Sequence, residues 1–456
     1  MLFPTFSFIL VFLPVTVIVY FLLSGKNSLV ARIWLIAASL VFYSWFNWSY
    51  FFIIAGSIII NHLFAQLLYR KHSRMIFIAG VCFNVLLLGY FKYYDFFVEN
   101  INAVFHTSWT LKHILLPLGI SFFTFQQISF LQQVYERTLQ KRYSFSNYSL
   151  FVSFFPQLIA GPIVLPDEMM SQFDDENNRL PKAENIACGL YTFSLGMAKK
   201  ILLADFFAVI ADNGFAACNG NFFSTWSSVL AYMFQIYFDF SGYCDMAIGI
   251  ALLFNIKLPV NFNAPYKSGN ISEFWRKWHI TLGRFLMSSI YIPLGGNRCG
   301  KFRTCINLLI TFFISGLWHG ASWMFILWGM MHGAALMLHR IWNKFLGFAM
   351  PHIIGRVLTF FFVMLAWVPF RAENWKKVCK IYRGMFFPES WNFGGIVTKN
   401  ILLFAAGFII VFALKPVCEL EKKFRPTWCN AIIATILIII SMFFFVKYSP
   451  FIYFNF

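Results

Sequence analysis

The sequence predicts an all-α, polytopic membrane protein, and three observations carry that prediction. Only 12% of the 456 residues are charged while 59% are hydrophobic, against about a quarter charged in an ordinary soluble domain. Apolar runs recur from one end of the chain to the other, and several approach the ~20 residues that a helix needs to cross a bilayer. The runs are continuous and not alternating. That excludes a transmembrane β-barrel, since only helices and closed barrels satisfy their backbone hydrogen bonds in lipid. The same composition, with 61 phenylalanines, excludes disorder.

In chain order the apolar runs cover 6–23, 34–46, 51–68, 75–90, 114–130, 151–163, 186–210, 227–254, 305–317, 323–338, 353–370, 401–414 and 431–446. The first begins almost at Met1, with no basic stretch before it and no small-residue cleavage site after it. It reads as a retained span, not a signal peptide. The sixth carries Pro156 and Pro162, and broken backbone at membrane depth is tolerated only where protein surrounds it or it lines a cavity. About eleven true spans are expected, with re-entrant and interfacial helices between them. No internal repeat or low-complexity linker interrupts the pattern, so residues 1–456 read as one domain.

The net charge of +18 lies in short loops, where the positive-inside rule and anionic lipid headgroups account for it without nucleic acid. Lys26 and Arg32, then Arg70, Lys71 and Arg74, mark two loops that are cytoplasmic if the N-terminus faces outward. The stretch from Lys257 to Arg303 sets eight basic residues against the single acid Glu273 and should face the cytoplasm. Loops 371–399 and 415–425 are both net basic, which leaves the orientation of the last spans open. The nine cysteines are scattered, with no Cys-x-x-Cys pair; neither a disulfide framework nor a zinc site is indicated, and no metal is expected.

Ionisable groups in apolar surroundings are costly and tend to face a bundle interior or cavity. Four places qualify. Asp239 and Asp245 flank Gly242 within the run 227–254, and read either as acids anchoring a helix break or as functional carboxylates. Lys199 and Lys200 interrupt the run 186–210; either a loop divides that run or the amines bind an anion. His279 lies where aromatic and basic residues alternate (273–282), as on a helix in the headgroup plane. His319 sits in Gly316-Leu-Trp-His-Gly320, with glycines that permit close approach of backbone or substrate. A lone histidine on an apolar helix serves as well for structure as for catalysis.

Four ordered motifs then carry a resemblance: Phe155-Pro-Gln-Leu-Ile-Ala-Gly-Pro162, the stretch from Asn261 to His279, Tyr291-Ile-Pro-Leu-Gly-Gly-Asn-Arg298, and Trp318-His319-Gly320. Together they resemble the membrane-bound O-acyltransferase family, in its bacterial cell-envelope branch, over about the whole chain. The chain departs from the family pattern at Met287, Ser288 and Ser289, and at Gln132 or Gln133, where relatives carry charged residues.

The resemblance implies a multi-pass protein of the bacterial cytoplasmic (inner) membrane that takes acetyl from cytoplasmic acetyl-CoA. It implies His319 as catalytic base and His279 as the second active-site histidine, hydrogen-bonding the thioester carbonyl or orienting the donor. The basic stretch suits the phosphates of coenzyme A, with Arg276, Lys277, Arg298 and Lys301 as its candidates, beside the plainer reading of interfacial cations. The last residues, 447–456, read as an acyl-relay tail in whose final stretch, 451–456, Tyr453 is the only nucleophile, or else as an aromatic belt at the membrane surface. The implied partner is a periplasmic SGNH-type transferase or esterase, and the implied acceptor a cell-envelope polysaccharide, peptidoglycan first. Alginate-type or other exopolysaccharide O-acetylation and D-alanine transfer to teichoic acid stand as alternatives. A lipid flippase or transporter using Asp239 and Asp245 stands as a reading of a different class.

Overall fold

The computed structural model describes residues 1–345, 350–393, 395–445 and 451–452. Among them the regular structure is entirely helical, as the continuous apolar runs require. By length and composition five helices suffice to cross a membrane: Ser49–Arg70, Arg74–Phe105, Phe222–Leu253, Trp323–Asn343 and His352–Arg371. Four shorter apolar helices, Phe8–Ser24, Ser28–Ser44, Asn400–Ala413 and Trp428–Phe443, join them. The chain is a multi-pass membrane protein. It forms two compact units, one of Met1–Ser194, Cys244–Pro259 and Arg425–Phe445, the other of Leu195–Tyr243, Val260–Phe424 and Val446–Phe456. No disulfide occurs among the described residues.

The first unit is held by aromatic packing and by polar side chains that bond across helices. Phe3, Phe8 and Phe42 are fully buried together, and Phe155 packs on Phe8, Phe42 and Phe254. Asn61 and Asn84 exchange amide hydrogen bonds at 3.2 and 2.5 Å, while Gln127 donates to Ser57 and accepts from Tyr148, both at 2.9 Å. Such cross-helix bonds matter where water is absent to satisfy them. The proline-bearing segment breaks as its sequence predicts. Helix Phe145–Ser153 ends, the four-residue helix Phe155–Leu158 follows, and residues 145–164 run buried over most of their length.

The second unit is built on tryptophans. Trp278, Trp328 and Trp367 are all but fully buried; Trp367 stacks on Trp328 at 5.8 Å and meets Trp278 at 5.1 Å. Helices Lys301–His319 and Trp323–Phe345 approach one another through glycines. A Cβ on Gly316 would lie 2.3 Å from the Phe325 carbonyl oxygen, and one on Gly329 would lie 2.2 Å from that of Phe312.

Candidate active site

His279 stands at an elbow. Helix Ile271–Trp275 ends, His279 turns through the left-handed region at φ 45°, and helix Ile280–Leu286 begins. The turn places its imidazole inward, 1% exposed. Segment 261–263 laces the elbow: the Asn261 carbonyl accepts from Ile280 N–H at 3.0 Å, and Asn263 N–H donates to Lys277 at 3.0 Å. The Asn261 side-chain oxygen accepts from the Thr281 N–H at 3.2 Å and from the Thr281 hydroxyl at 3.0 Å. The atom that receives those donors is an oxygen, so His279 Nδ1, 3.2 Å from it, carries the proton. Nε2 then presents a lone pair. Burial pushes the His279 imidazole down to about 3, so it is neutral in this tautomer near neutral pH.

The segment 273–282 is therefore no surface helix. Phe274 and Trp278 are each 1% exposed, because the elbow turns the aromatic side chains into the unit's core and leaves Arg276 outside.

His319 is the last residue of helix Lys301–His319 and is 3% exposed. Its ring meets Trp328 at 4.8 Å, Trp318 at 4.9 Å and Phe370 at 5.1 Å, each edge-on. His279 touches the same Trp318, at 6.0 Å between ring centres. The structure thus brings the two histidines onto one tryptophan. The glycines beside His319 are taken up by protein: a Cβ on Gly320 would meet the Phe325 ring at 2.2 Å, as Gly316 meets its backbone. They serve helix packing here, not substrate approach.

Asp239 and Asp245 do not break a helix. Phe222–Leu253 runs unbroken for 32 residues through both, and Gly242 is small because Gly196 O would lie 2.7 Å from its Cβ. Nor does a loop interrupt the chain at Lys199 and Lys200. A π-helical stretch, Lys199–Ala204, continues helix Ala183–Ala198 into Asp205–Ala217. In it the Asp205 N–H bonds the Lys200 carbonyl, and this wider turn brings side chains five apart onto one face. Lys200 consequently holds Asp205 at 2.8 Å and Asp239 at 2.6 Å; the anions it binds are carboxylates of its own chain. Asp205 and Asn261 escaped notice in the sequence because neither a five-residue spacing nor an asparagine within a motif signals a role.

Of the four cations proposed for coenzyme A, Arg276, Arg298 and Lys301 are exposed, while Lys277 is paired with Glu273 at 2.7 Å. Arg340 joins them: its guanidinium and the Tyr291 hydroxyl both bond Asn297 Oδ1, at 3.1 and 2.6 Å, beside Arg298. No cluster of three or more potential metal ligands occurs among the described residues. Tyr453 lies outside the described residues, but its neighbour Ile452 donates its backbone N–H to Asp239 Oδ2 at 2.8 Å. Phe451 packs on Tyr243 at 4.7 Å and on Phe240 at 5.9 Å, and Phe240 meets His279 edge-on at 4.8 Å.

Residues 106–372 match the model of the membrane-bound O-acyltransferase family. The chain is 42% identical to the peptidoglycan O-acetyltransferase of Helicobacter pylori, over 100% of this chain and 98% of that protein. It is 37% identical to the probable alginate O-acetylase AlgI of Pseudomonas aeruginosa, over 90% of this chain and 80% of the relative. A teichoic acid D-alanyltransferase of Streptococcus thermophilus shares 28% identity over 51% of this chain and 59% of its own length.

Proposed function

The chain belongs to the membrane-bound O-acyltransferase family, and from that premise we propose that this O-acyltransferase moves acetyl from cytoplasmic acetyl-CoA across the bacterial inner membrane. A periplasmic SGNH-type partner then acetylates a cell-envelope polysaccharide, peptidoglycan. The full-length likeness to a peptidoglycan O-acetyltransferase supports the choice of polymer. The observation that carries the chemistry is the meeting of two buried imidazoles on Trp318.

Acetyl-CoA is too charged to cross a bilayer, so the acetyl group crosses and the donor does not. The acceptor is the Tyr453 phenol. His319 takes the phenolic proton as the oxygen attacks the thioester carbonyl; the C–O bond forms and the C–S bond breaks. Coenzyme A leaves as a thiolate that recovers the proton from the imidazolium. A partner hydroxyl then attacks the tyrosyl ester and the phenol is restored. A thiol near pKa 8.5 is exchanged for a phenol near about 10, so the ester keeps much of the thioester's activation. With Nδ1–H committed to Asn261, neutral His279 accepts a hydrogen bond at Nε2 and does not donate one to the thioester carbonyl. Its place is to orient the donor. Arg276, Arg298 and Lys301, with Arg340 beside them, supply charge for the phosphates of coenzyme A, and Lys277 does so only by leaving Glu273.

Purified full-length protein given acetyl-labelled acetyl-CoA tests this. The wild type releases coenzyme A and carries label on its C-terminal peptide. His319→Ala stays folded and loses roughly 10²- to 10⁴-fold in rate, the usual contribution of a general base. Tyr453→Phe binds acetyl-CoA and takes no label; normal transfer by that variant would refute the relay. A D-alanyl transferase takes no label from acetyl-CoA, and a flippase releases no coenzyme A.

A further inference from the structure

The buried ion-pair network of Lys200, Asp205 and Asp239 has no part in the reaction as written above, yet Asp239 is the group that the final segment of the chain touches. Charges in membrane helices are expensive and are kept where they do something. Charge balance does not require both acids, because Asp205 alone would neutralise Lys200. Helix Phe222–Leu253 is unbroken at residue 239, so no helix end there needs a cap. What distinguishes Asp239 is its use of two oxygens: Oδ1 takes the Lys200 ammonium at 2.6 Å, and Oδ2 takes the Ile452 N–H at 2.8 Å. One turn further along the same helix, Tyr243 packs against Phe451, and Phe240 lies between Phe451 and His279.

We propose that Asp239, held in place by Lys200, is a positioning residue: it grips the backbone at Ile452, and acetyl transfer through the carrier proposed one residue on depends on that grip. The inference rests on the reading of Tyr453 as acetyl carrier. The grip itself is a main-chain bond, indifferent to the side chain at 452 and broken only by removing the N–H or the carboxylate. Lys200 orients the carboxylate; Asp205 shares the ammonium and fixes it.

The test separates grip from relay by two readouts on the full-length protein. The first is amide hydrogen–deuterium exchange of the C-terminal peptide without ligand, and the second is acetyl label on that peptide after acetyl-CoA. Ile452→Pro deletes the donor, since proline has no N–H, and leaves the ion-pair network whole; Ile452→Ala keeps the donor. The proline variant should lose label at least tenfold with an unchanged KM for acetyl-CoA, while the alanine variant stays near wild type. Asp239→Ala should raise exchange of the C-terminal peptide at least tenfold. Asp239→Asn, which retains an acceptor oxygen, should raise it less.

Wild-type label in Ile452→Pro overturns the proposal, as does wild-type exchange in Asp239→Ala. If Asp239→Ala also raises exchange in helix Lys301–His319, the fold has been damaged and the proline variant decides. Tyr453→Phe should exchange as slowly as wild type whatever its transfer activity. Absence of label from the wild-type tail therefore removes the relay, while the exchange measurements still decide whether Asp239 grips the segment.

Discussion

A left-handed backbone at a histidine is uncommon, and positions held in sparsely populated conformations cost about 1–3 kcal/mol unless their surroundings determine them. His279 at φ 45° is such a position, and Asn261 is what determines it, bonding the ring and the two groups of Thr281 through one oxygen. Asn261→Ala releases the ring and its tautomer. It should lower kcat by roughly 10- to 100-fold, the range for removing a partner that orients a functional histidine, with a smaller change in KM. A change confined to KM would assign His279 to donor binding alone. The pH profile offers an independent check. Burial lowers the His279 value to about 3, so the neutral form persists as pH rises from there, and the ring is charged only in strong acid. Rate profiles above about pH 5 should therefore have no limb from this residue. A limb near neutrality that disappears in His279→Gln would contradict the neutral assignment.

Helix contacts in this protein depend on small residues and on a few anchored polar ends. Helices Lys301–His319 and Trp323–Phe345 are seated backbone to backbone at Gly316, where a methyl would lie 2.3 Å from the Phe325 carbonyl oxygen. Gly316→Ala should push the helices apart and cost about 1–3 kcal/mol, read as a lowered thermal unfolding midpoint, and should disturb His319 three residues on. In the other unit, Asp174 ends helix Pro166–Asp174. It accepts from Arg32 at 2.7 Å, from Asn147 at 2.8 Å and from Lys141 at 2.9 Å. Burial works to raise the Asp174 carboxyl, but hydrogen bonds from Asn147 and Lys141 and the charges of Lys141 and Arg32 outweigh it and hold it below the ordinary carboxylate range. A depressed value means that the ionised form stabilises the fold. That contribution is complete above the unfolded carboxylate value and is lost as pH falls through the folded one. Asp174→Asn should unfold at a lower temperature near neutral pH and show less of the wild type's acid sensitivity.

At the scale of the molecule, the proposed hand-over of acetyl to a separate periplasmic transferase makes a prediction of its own. Proteoliposomes of this chain alone, loaded with acetyl-CoA, should leave external peptidoglycan unmodified until the partner transferase is added. Acetylation by the chain alone would refute the need for a partner. Mass spectrometry of cell-wall fragments from a deletion strain should show loss of O-acetyl groups, and an unchanged wall would move the acceptor to another polymer.

Composition and continuous apolar runs were enough to establish a helical membrane protein, because the cost of unsatisfied backbone in lipid leaves few alternatives. The motifs around His279 and His319 were enough to find the family. The tertiary structure decided what those residues do for one another. That Asn261 selects the His279 tautomer, and that both rings share Trp318, depend on an elbow and a helix end far apart in sequence. Lys200 and Asp239 looked like interruptions of helices, and Asp205 drew no notice, because α-helical and strand periods are the only spacings a sequence displays openly. A π-turn and a neighbouring helix made them one ion-pair network. The bond from Ile452 to Asp239 was invisible for a simpler reason: every residue except proline has a backbone N–H, and only packing chooses which of them reaches a buried carboxylate.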